Sequence, residues 1–353
     1  MSGAYGYNFI CLFFCSNLFD IIQKEIKNCL ILGMQKNFDV LIIGAGPIGI
    51  ACALQCKKNG LSYVILEKGA LCNSLYHYPL NMQFFSTSEK LEIDGIPFIS
   101  ANAKPNRNEA LEYYRRVATS NELHIKLFEG VISAKKEEDV FKISSELNTY
   151  TANHLIVSTG FYDIPKLLDV PGEDLAKVSH YFKEAHPYIM QKTIVVGASN
   201  SSVDAALEIW RKGGDVTMVV RGPHIGDRVK YWVRPDIDNR IKEGSIKAIF
   251  NAEIAEITSN EVTIKTPDGL QTLANDFVVA LTGYRPNFEF LVSLGIQLSE
   301  EKKIPHYNSD TMESNVAGLF LAGVICGGTE THKWFIENSR VHAKMIVDAI
   351  LAN

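Results

Sequence analysis

The sequence predicts an α/β protein of two doubly wound domains, the second inserted into the first. Three observations carry this. A glycine-rich turn, Gly44-Ala45-Gly46-Pro47-Ile48-Gly49, stands between an apolar run and a helical stretch. A second strand–turn–helix begins at Thr193, its first turn glycine 197 − 44 = 153 residues after the first. Two further apolar runs, HLIVSTG (154–160) and FVVALTG (277–283), each end in Thr-Gly, as strands that carry the chain between units do. The length of 353 residues suits about two domains.

Composition removes several function classes. Hydrophobic residues make up 46% and charged residues 21%, so the chain is too apolar for disorder. Lys+Arg 35 against Asp+Glu 40 leaves −5, which offers no basic field for nucleic acid. No charge-free stretch approaches the roughly 20 apolar residues of a membrane span. Seven cysteines without a C-x-x-C pair argue against a disulfide scaffold and against a bound metal. Cytoplasmic residence is the expectation. Residues 1–33, which hold Cys11, Cys15 and Cys29, lack basic residues before their apolar run and so lack a secretory signal. They read as a doubtful extension ahead of a working start at Met34.

The first unit opens with FDVLII (38–43), a short apolar run of the kind buried on both faces of a parallel sheet. In the turn, Gly44 supplies the sharp bend, Gly46 lets the backbone approach a pyrophosphate, and Gly49 lets helix and strand pack closely. The helical stretch stops at Gly60, and the return strand SYVILEKG places Glu67 at its end, 67 − 49 = 18 residues after the last glycine. That is close to the spacing of a carboxylate that binds a ribose hydroxyl. The stretch 130–152, with its alternating VFKISSEL, reads as a small antiparallel meander. FLAGVICGG (320–328) reads as another buried strand, and His332–Leu351 as a closing helix whose start faces the ligand.

The second unit has TIVVG (193–197), a helix over 200–212 and the return strand DVTMVVRG (215–222). Its turn reads Gly197-Ala198-Ser199-Asn200-Ser201-Ser202, with serines where the later glycines would stand. Its return strand ends in Arg221, and a guanidinium there pairs with a 2′-phosphate, with His224 and Arg228 close by. The first site is therefore read as an FAD site and the second as an NADPH site, both in Rossmann-like folds. Two such sites in one chain are the layout of a flavoprotein that takes hydride from a nicotinamide.

From about Phe38 onward the chain resembles the thioredoxin-reductase-related flavoproteins, and among them the bacillithiol disulfide reductase family. The stretches that carry the likeness are GAGPIG, NSLYHYP (73–79), FFSTSEKLEI (84–93), VSHYFKEAHPY (178–188), VKYWVRPDI (229–237), TGYRP (282–286) and FIENSR (335–340). The resemblance implies an FAD domain formed by 34–165 and 284–353, with an NADPH domain over 166–283 that rotates between half-reactions. It implies FAD contacts from Pro47, Ile48, Lys68, Tyr76, Thr159, Gly160, Gly323, Val324, Lys333 and Phe335. NADPH contacts are implied for Gly197, Ser199, Asn200, Ser201, Ser202, Arg221, Arg228 and Gly283. It also implies a homodimer and reduction of a low-molecular-weight disulfide at the expense of NADPH.

Two departures bear on the chemistry. The redox C-x-x-C of thioredoxin reductases is missing, and Ile48 stands where the bacillithiol-type enzymes place a nucleophilic cysteine. Cys326, after the Ala322-Gly323 exit, and Cys72 are the candidate replacements, whereas Cys52 and Cys56 read as core. His77, His180 and His186 are candidate proton donors. Tyr78, like Tyr76, is a candidate stacking partner for the flavin, and Arg234 a weaker anion contact. Three alternatives stay open: a flavin monooxygenase-like reaction, an NADPH:ferredoxin or quinone reductase without a redox cysteine, and a non-catalytic sensor.

Overall fold

The computed structural model describes residues 36–352; the extension 1–33 and Met34 lie outside them. The first unit is built on a seven-stranded sheet. Its order is β3 (Ile125–Lys126), β2 (Tyr63–Leu66), β1 (Lys36–Ile43), β6 (Thr149–Val157), β5 (Val140–Ser145), β4 (Val131–Glu137), with β17 (Leu319–Leu321) also on β6. β1 pairs in parallel with β2 and β6, and its Val40–Ile43 are fully covered, which is why that run is continuously apolar. The helix Pro47–Lys58 carries Pro at its start, where the preset φ fits and no N–H is needed, and Lys57 and Lys58 in its last turn, where positive charge suits the helix dipole. It is buried on most sides, with Ile50, Cys52 and Leu54 all in the core.

The expected antiparallel meander is present within the first unit's sheet. Its last strand is β6, which pairs antiparallel with β5 and parallel with β1 and β17. One nine-residue strand thus joins the meander to the parallel sheet. The expected closing helix is broken. It begins at Ile336, pauses after Ser339, and resumes over His342–Ala352. Its start is set by a cap, Asn338 Oδ1 accepting the Phe335 N–H at 2.7 Å, and at the break Arg340 reaches out to the Glu89 and Glu92 carbonyls. The run 320–328 is also less regular than read, a three-residue strand followed by the single 3₁₀ turn Val324–Gly327.

The second unit centres on a five-stranded parallel sheet, β11 (Lys247–Phe250), β10 (Asp215–Val220), β9 (Lys192–Val196), β15 (Phe277–Ala280), β8 (Val178–Ser179). Its nucleotide helix spans Asn200–Arg211. A three-stranded antiparallel sheet, β12 (Glu253–Ile257), β13 (Glu261–Thr266) and β14 (Gly269–Ala274), packs Ile254, Val262 and Ile264 onto Val219 and Val278. Where the chain passes between the units, the two crossings pair with each other: Tyr284 lies opposite Pro165 and Arg285 opposite Ile164.

Candidate functional site

The first glycine turn has three glycines in three distinct situations. Gly44 has φ +107°, and a Cβ there would lie 2.7 Å from the Ser158 carbonyl oxygen. At Gly49 a Cβ would lie 1.9 Å from the Gly44 carbonyl oxygen. Gly46, the N-cap, has extended backbone and a Cβ there would meet nothing within 4 Å. The first and third glycines therefore serve packing, while the second opens into space. No side chain caps this helix and no acid sits in its first turn, so its N–H groups are free for an anion.

Glu67, at the end of β2, is buried beside this turn. Its carboxylate accepts the Ala45 N–H at 2.8 Å and the Gly69 N–H at 3.0 Å. Burial raises its pKa, and the two backbone donors oppose that rise. Lys68 is paired with Asp163 at 2.7 Å. Ile48 is nearly covered, and a Cβ on Gly323 (φ +86°) would touch it at 3.4 Å, so position 48 faces the β17 exit across the site.

The second turn differs. Gly197 has φ +129°, and a Cβ on it would lie 2.7 Å from the Leu281 carbonyl oxygen and 3.1 Å from Ser202 Cβ. Ser202 is buried, accepts the Ser199 N–H at 3.0 Å and donates to the Ser199 carbonyl at 2.9 Å. Its hydroxyl is thus committed to the turn, in the packing role of a third glycine. Asn200 holds the following loop: Nδ2 donates to the Arg228 carbonyl and Oδ1 accepts the Lys230 N–H.

Both turns open into one cleft of about 1200 Å³. That is above the ~300–1,000 Å³ typical of a single small-ligand pocket and suits two dinucleotides. Its wall includes Gly44, Gly46, Pro47 and Ile48 from the first turn, and Ser199, Asn200 and Ser201 from the second. Glu67, Lys68, Thr159, Gly160, Gly283, Gly323, Val324 and Phe335 also line it. Gly49, Gly197 and Ser202 shape the turns from behind.

Several candidates stand elsewhere. Tyr76 is 53% exposed, is not among the cleft-lining residues and lies under the Arg107 guanidinium; Tyr78 takes the wall position instead, edge-on to Tyr162 at 4.7 Å. Lys333 is exposed and off the cleft, its carbonyl held by Asn338. The expected helix start at His332 is loop; the helix begins four residues later, at Ile336, which lines the cleft together with its N-cap Phe335. Arg221 and Arg228 are exposed near the end of β10, outside the cleft wall. Cys326 is 1% exposed, absent from the wall, and burial drives its thiol pKa far up. Cys72 does line the cleft, but burial and then the Glu67 charge push its thiol up as well. Cys52 and Cys56 are buried in the Pro47–Lys58 helix, Cys56 with a pKa of about 12. Thiolates need the opposite environment, so none of these four is poised as a nucleophile. His180 sits 3.3 Å from Glu173, away from the wall.

Sequence reasoning passed over Asp204, Lys230, Tyr162 and Tyr284, all on the wall. Asn200, Asp204 and Glu208 at four-residue spacing already mark one helix face, and that spacing was legible. Tyr162 and Tyr284, from the two crossing segments, lie 4.4 Å apart with their rings tilted at 45°, a pairing that only the fold brings about.

The family model for pyridine nucleotide-disulphide oxidoreductases matches residues 41–323, from β1 through the β17 exit. The chain belongs to this family. Similar proteins include the bacilliredoxin reductase Bdr of Bacillus subtilis, 43% identical over 312 residues, covering 88% of this chain and 96% of that protein. The solved bacillithiol disulfide reductase Bdr (YpdA) of Staphylococcus aureus superposes with a TM-score of 0.88 at 40% identity, covering 90% of this chain and 99% of that one. A ferredoxin–NADP reductase of Ignicoccus hospitalis is 26% identical over 299 residues, 81% of this chain and 90% of that protein. As a pyridine nucleotide-disulphide oxidoreductase, the protein is an FAD-containing, NADPH-dependent flavoenzyme with two Rossmann-like domains. The open space at Gly46 and the uncapped helix behind it fit the FAD pyrophosphate. Among the described residues no helix is long and apolar enough to cross a membrane, and no group of His, Cys, Asp and Glu is arranged to hold a metal.

Proposed function

We propose that the protein passes two electrons from NADPH to a small-molecule disulfide, NADPH + H⁺ + RSSR giving NADP⁺ and two RSH. The supporting observation is the single cleft onto which both nucleotide turns open, together with the similarity to the two Bdr proteins. In this reading Gly46 and the free N–H groups of the Pro47–Lys58 helix hold the FAD pyrophosphate. Glu67, already fixed by two backbone donors, offers its remaining lone pairs to the ribose. Ser199, Asn200 and Ser201 hold the NADPH pyrophosphate, and Arg221 and Arg228 take the 2′-phosphate at the rim. Bound FAD supplies the two-electron relay between the coenzyme and the acceptor. The aromatic wall of Tyr78, Tyr162 and Tyr284 excludes water from the reacting rings. The domain limits that go with this reading are 34–165 with 284–353 for FAD and 166–283 for NADPH. Cytoplasmic residence and a homodimer complete it, the latter checked by sedimentation.

One observation favours a second acceptor class. Ile48 occupies the position facing Gly323, and the four described cysteines are buried with raised pKa values or, in Cys52, a strongly raised one. An acceptor reduced without a protein thiol, such as a ferredoxin or a quinone, avoids that obstacle. Steady-state NADPH oxidation against oxidised bacillithiol, a ferredoxin and a soluble quinone separates the two. The disulfide reading expects the highest kcat/KM with oxidised bacillithiol. Turnover with ferredoxin or quinone alone overturns it.

A further inference from the structure

We infer that Lys230 is a positioning residue, which sets the orientation of the two nucleotide turns across their common cleft. The inference rests on the reading that both coenzymes occupy that cleft. Lys230 belongs to the second unit and is only 8% exposed. Its ammonium lies 2.7 Å from Asp204 Oδ2, one turn along the nucleotide helix from Asn200, and 3.2 Å from the main-chain carbonyl of Gln83 in the first unit. Its own N–H is accepted by Asn200 Oδ1 at 2.8 Å. One side chain thus ties the start of the NADPH helix to the 79–86 segment, which walls the FAD side of the cleft.

The neighbouring contacts follow the same seam. Leu80 N–H donates to the Lys183 carbonyl at 2.9 Å, and Asn81 Nδ2 donates to Glu208 Oε1 at 2.9 Å. Phe85 lies against Trp232 at 5.4 Å, with the Lys104 ammonium 4.1 Å from the Trp232 ring. The Asn81–Glu208 bond is exposed and contributes little on its own. Lys230 is different because a buried ammonium requires its acceptors, and one of them comes from the opposite unit. Separating the units removes that acceptor.

The test compares FAD-loaded wild type with Lys230→Met, which keeps the stem and removes the charge, and with Lys230→Arg, which restores it. Amide exchange at Leu80 reports the seam directly. Anaerobic stopped-flow reduction by NADPH reports its consequence. Lys230→Met is expected to speed exchange of the Leu80 segment at least tenfold while β1 stays unchanged. It is expected to lower the limiting rate of flavin reduction at least tenfold, with the half-saturating NADPH concentration within twofold of wild type. Lys230→Arg is expected to recover most of both. Unchanged exchange, an unchanged limiting rate, or a loss of NADPH affinity alone overturns the inference. Wild-type flavin that NADPH does not reduce at all overturns the two-coenzyme reading itself, and is thereby distinguished. Should Lys230→Met fail to fold, Asp204→Asn at the more exposed end of the pair is expected to act in the same direction.

Discussion

Adding a single methyl group at Gly46 and at Gly49 separates two roles within one turn. At Gly49 the new carbon would stand 1.9 Å from the Gly44 carbonyl oxygen, whereas real Cβ atoms essentially never come within 3.0 Å of a neighbour. At least 3.0 − 1.9 = 1.1 Å of backbone movement is required between β1 and the helix behind it. Overpacking of that kind costs ~1–3 kcal/mol or more. At Gly46 the methyl meets no protein atom within 4 Å, and the extended backbone accepts alanine without strain. The remaining cost is the N-cap preference for glycine over alanine, under about 1 kcal/mol. That methyl points into the space assigned to the pyrophosphate. Gly46→Ala should therefore melt near wild type as apoprotein yet bind FAD at least tenfold more weakly, about 1.4 kcal/mol. Gly49→Ala should lose both stability and FAD. Thermal unfolding of apoprotein and FAD fluorescence quenching measure the two effects. Wild-type FAD affinity in Gly46→Ala, or a wild-type melt in Gly49→Ala, refutes the reasoning.

Three further outcomes follow from the same geometry. His342 is 1% exposed, accepts the Gly323 N–H at Nδ1, and is depressed by burial from 6.5 to about 4; its contribution to stability is present above pH ~6.5 and is lost as pH falls towards 4. Denaturant unfolding should show that His342→Asn removes about 2 kcal/mol of the wild-type loss between pH 7 and pH 5; an unchanged pH slope refutes the assignment. Arg221→Ala should raise the KM for NADPH at least tenfold and leave that for NADH within twofold, measured by steady-state oxidation; equal effects on both exclude the 2′-phosphate role. Cys72→Ser and Cys326→Ser should each retain at least half the NADPH-dependent turnover, because neither thiol is placed to ionise; loss of turnover in a folded variant restores a thiol step.

The parts of the fold that could be read from sequence are those where one local rule suffices. Gly44, Gly46 and Gly49 each need a different backbone freedom at fixed spacing, and Glu67 follows at the end of a short apolar strand. What escaped reading depends on contacts between distant segments. Tyr76 and Tyr78 alternate in sequence, and only the fold, which sets Tyr78 edge-on to Tyr162, decides which one faces the cleft. The closing helix has an unbroken helical period, yet it starts only at Ile336, where Asn338 caps it, and pauses near Arg340, whose side chain bonds carbonyls of a distant segment. Lys230 shows no pattern of its own, since one acceptor is 147 residues away. Cys326 follows a favourable exit in sequence, but burial removes its chemistry.

The central claim is that one cleft holds both coenzymes in contact. Anaerobic titration of the FAD-loaded protein with NADPH tests it most directly. The account predicts that the visible flavin band bleaches with one NADPH per FAD and returns when an acceptor is added. A band that persists under excess NADPH contradicts it.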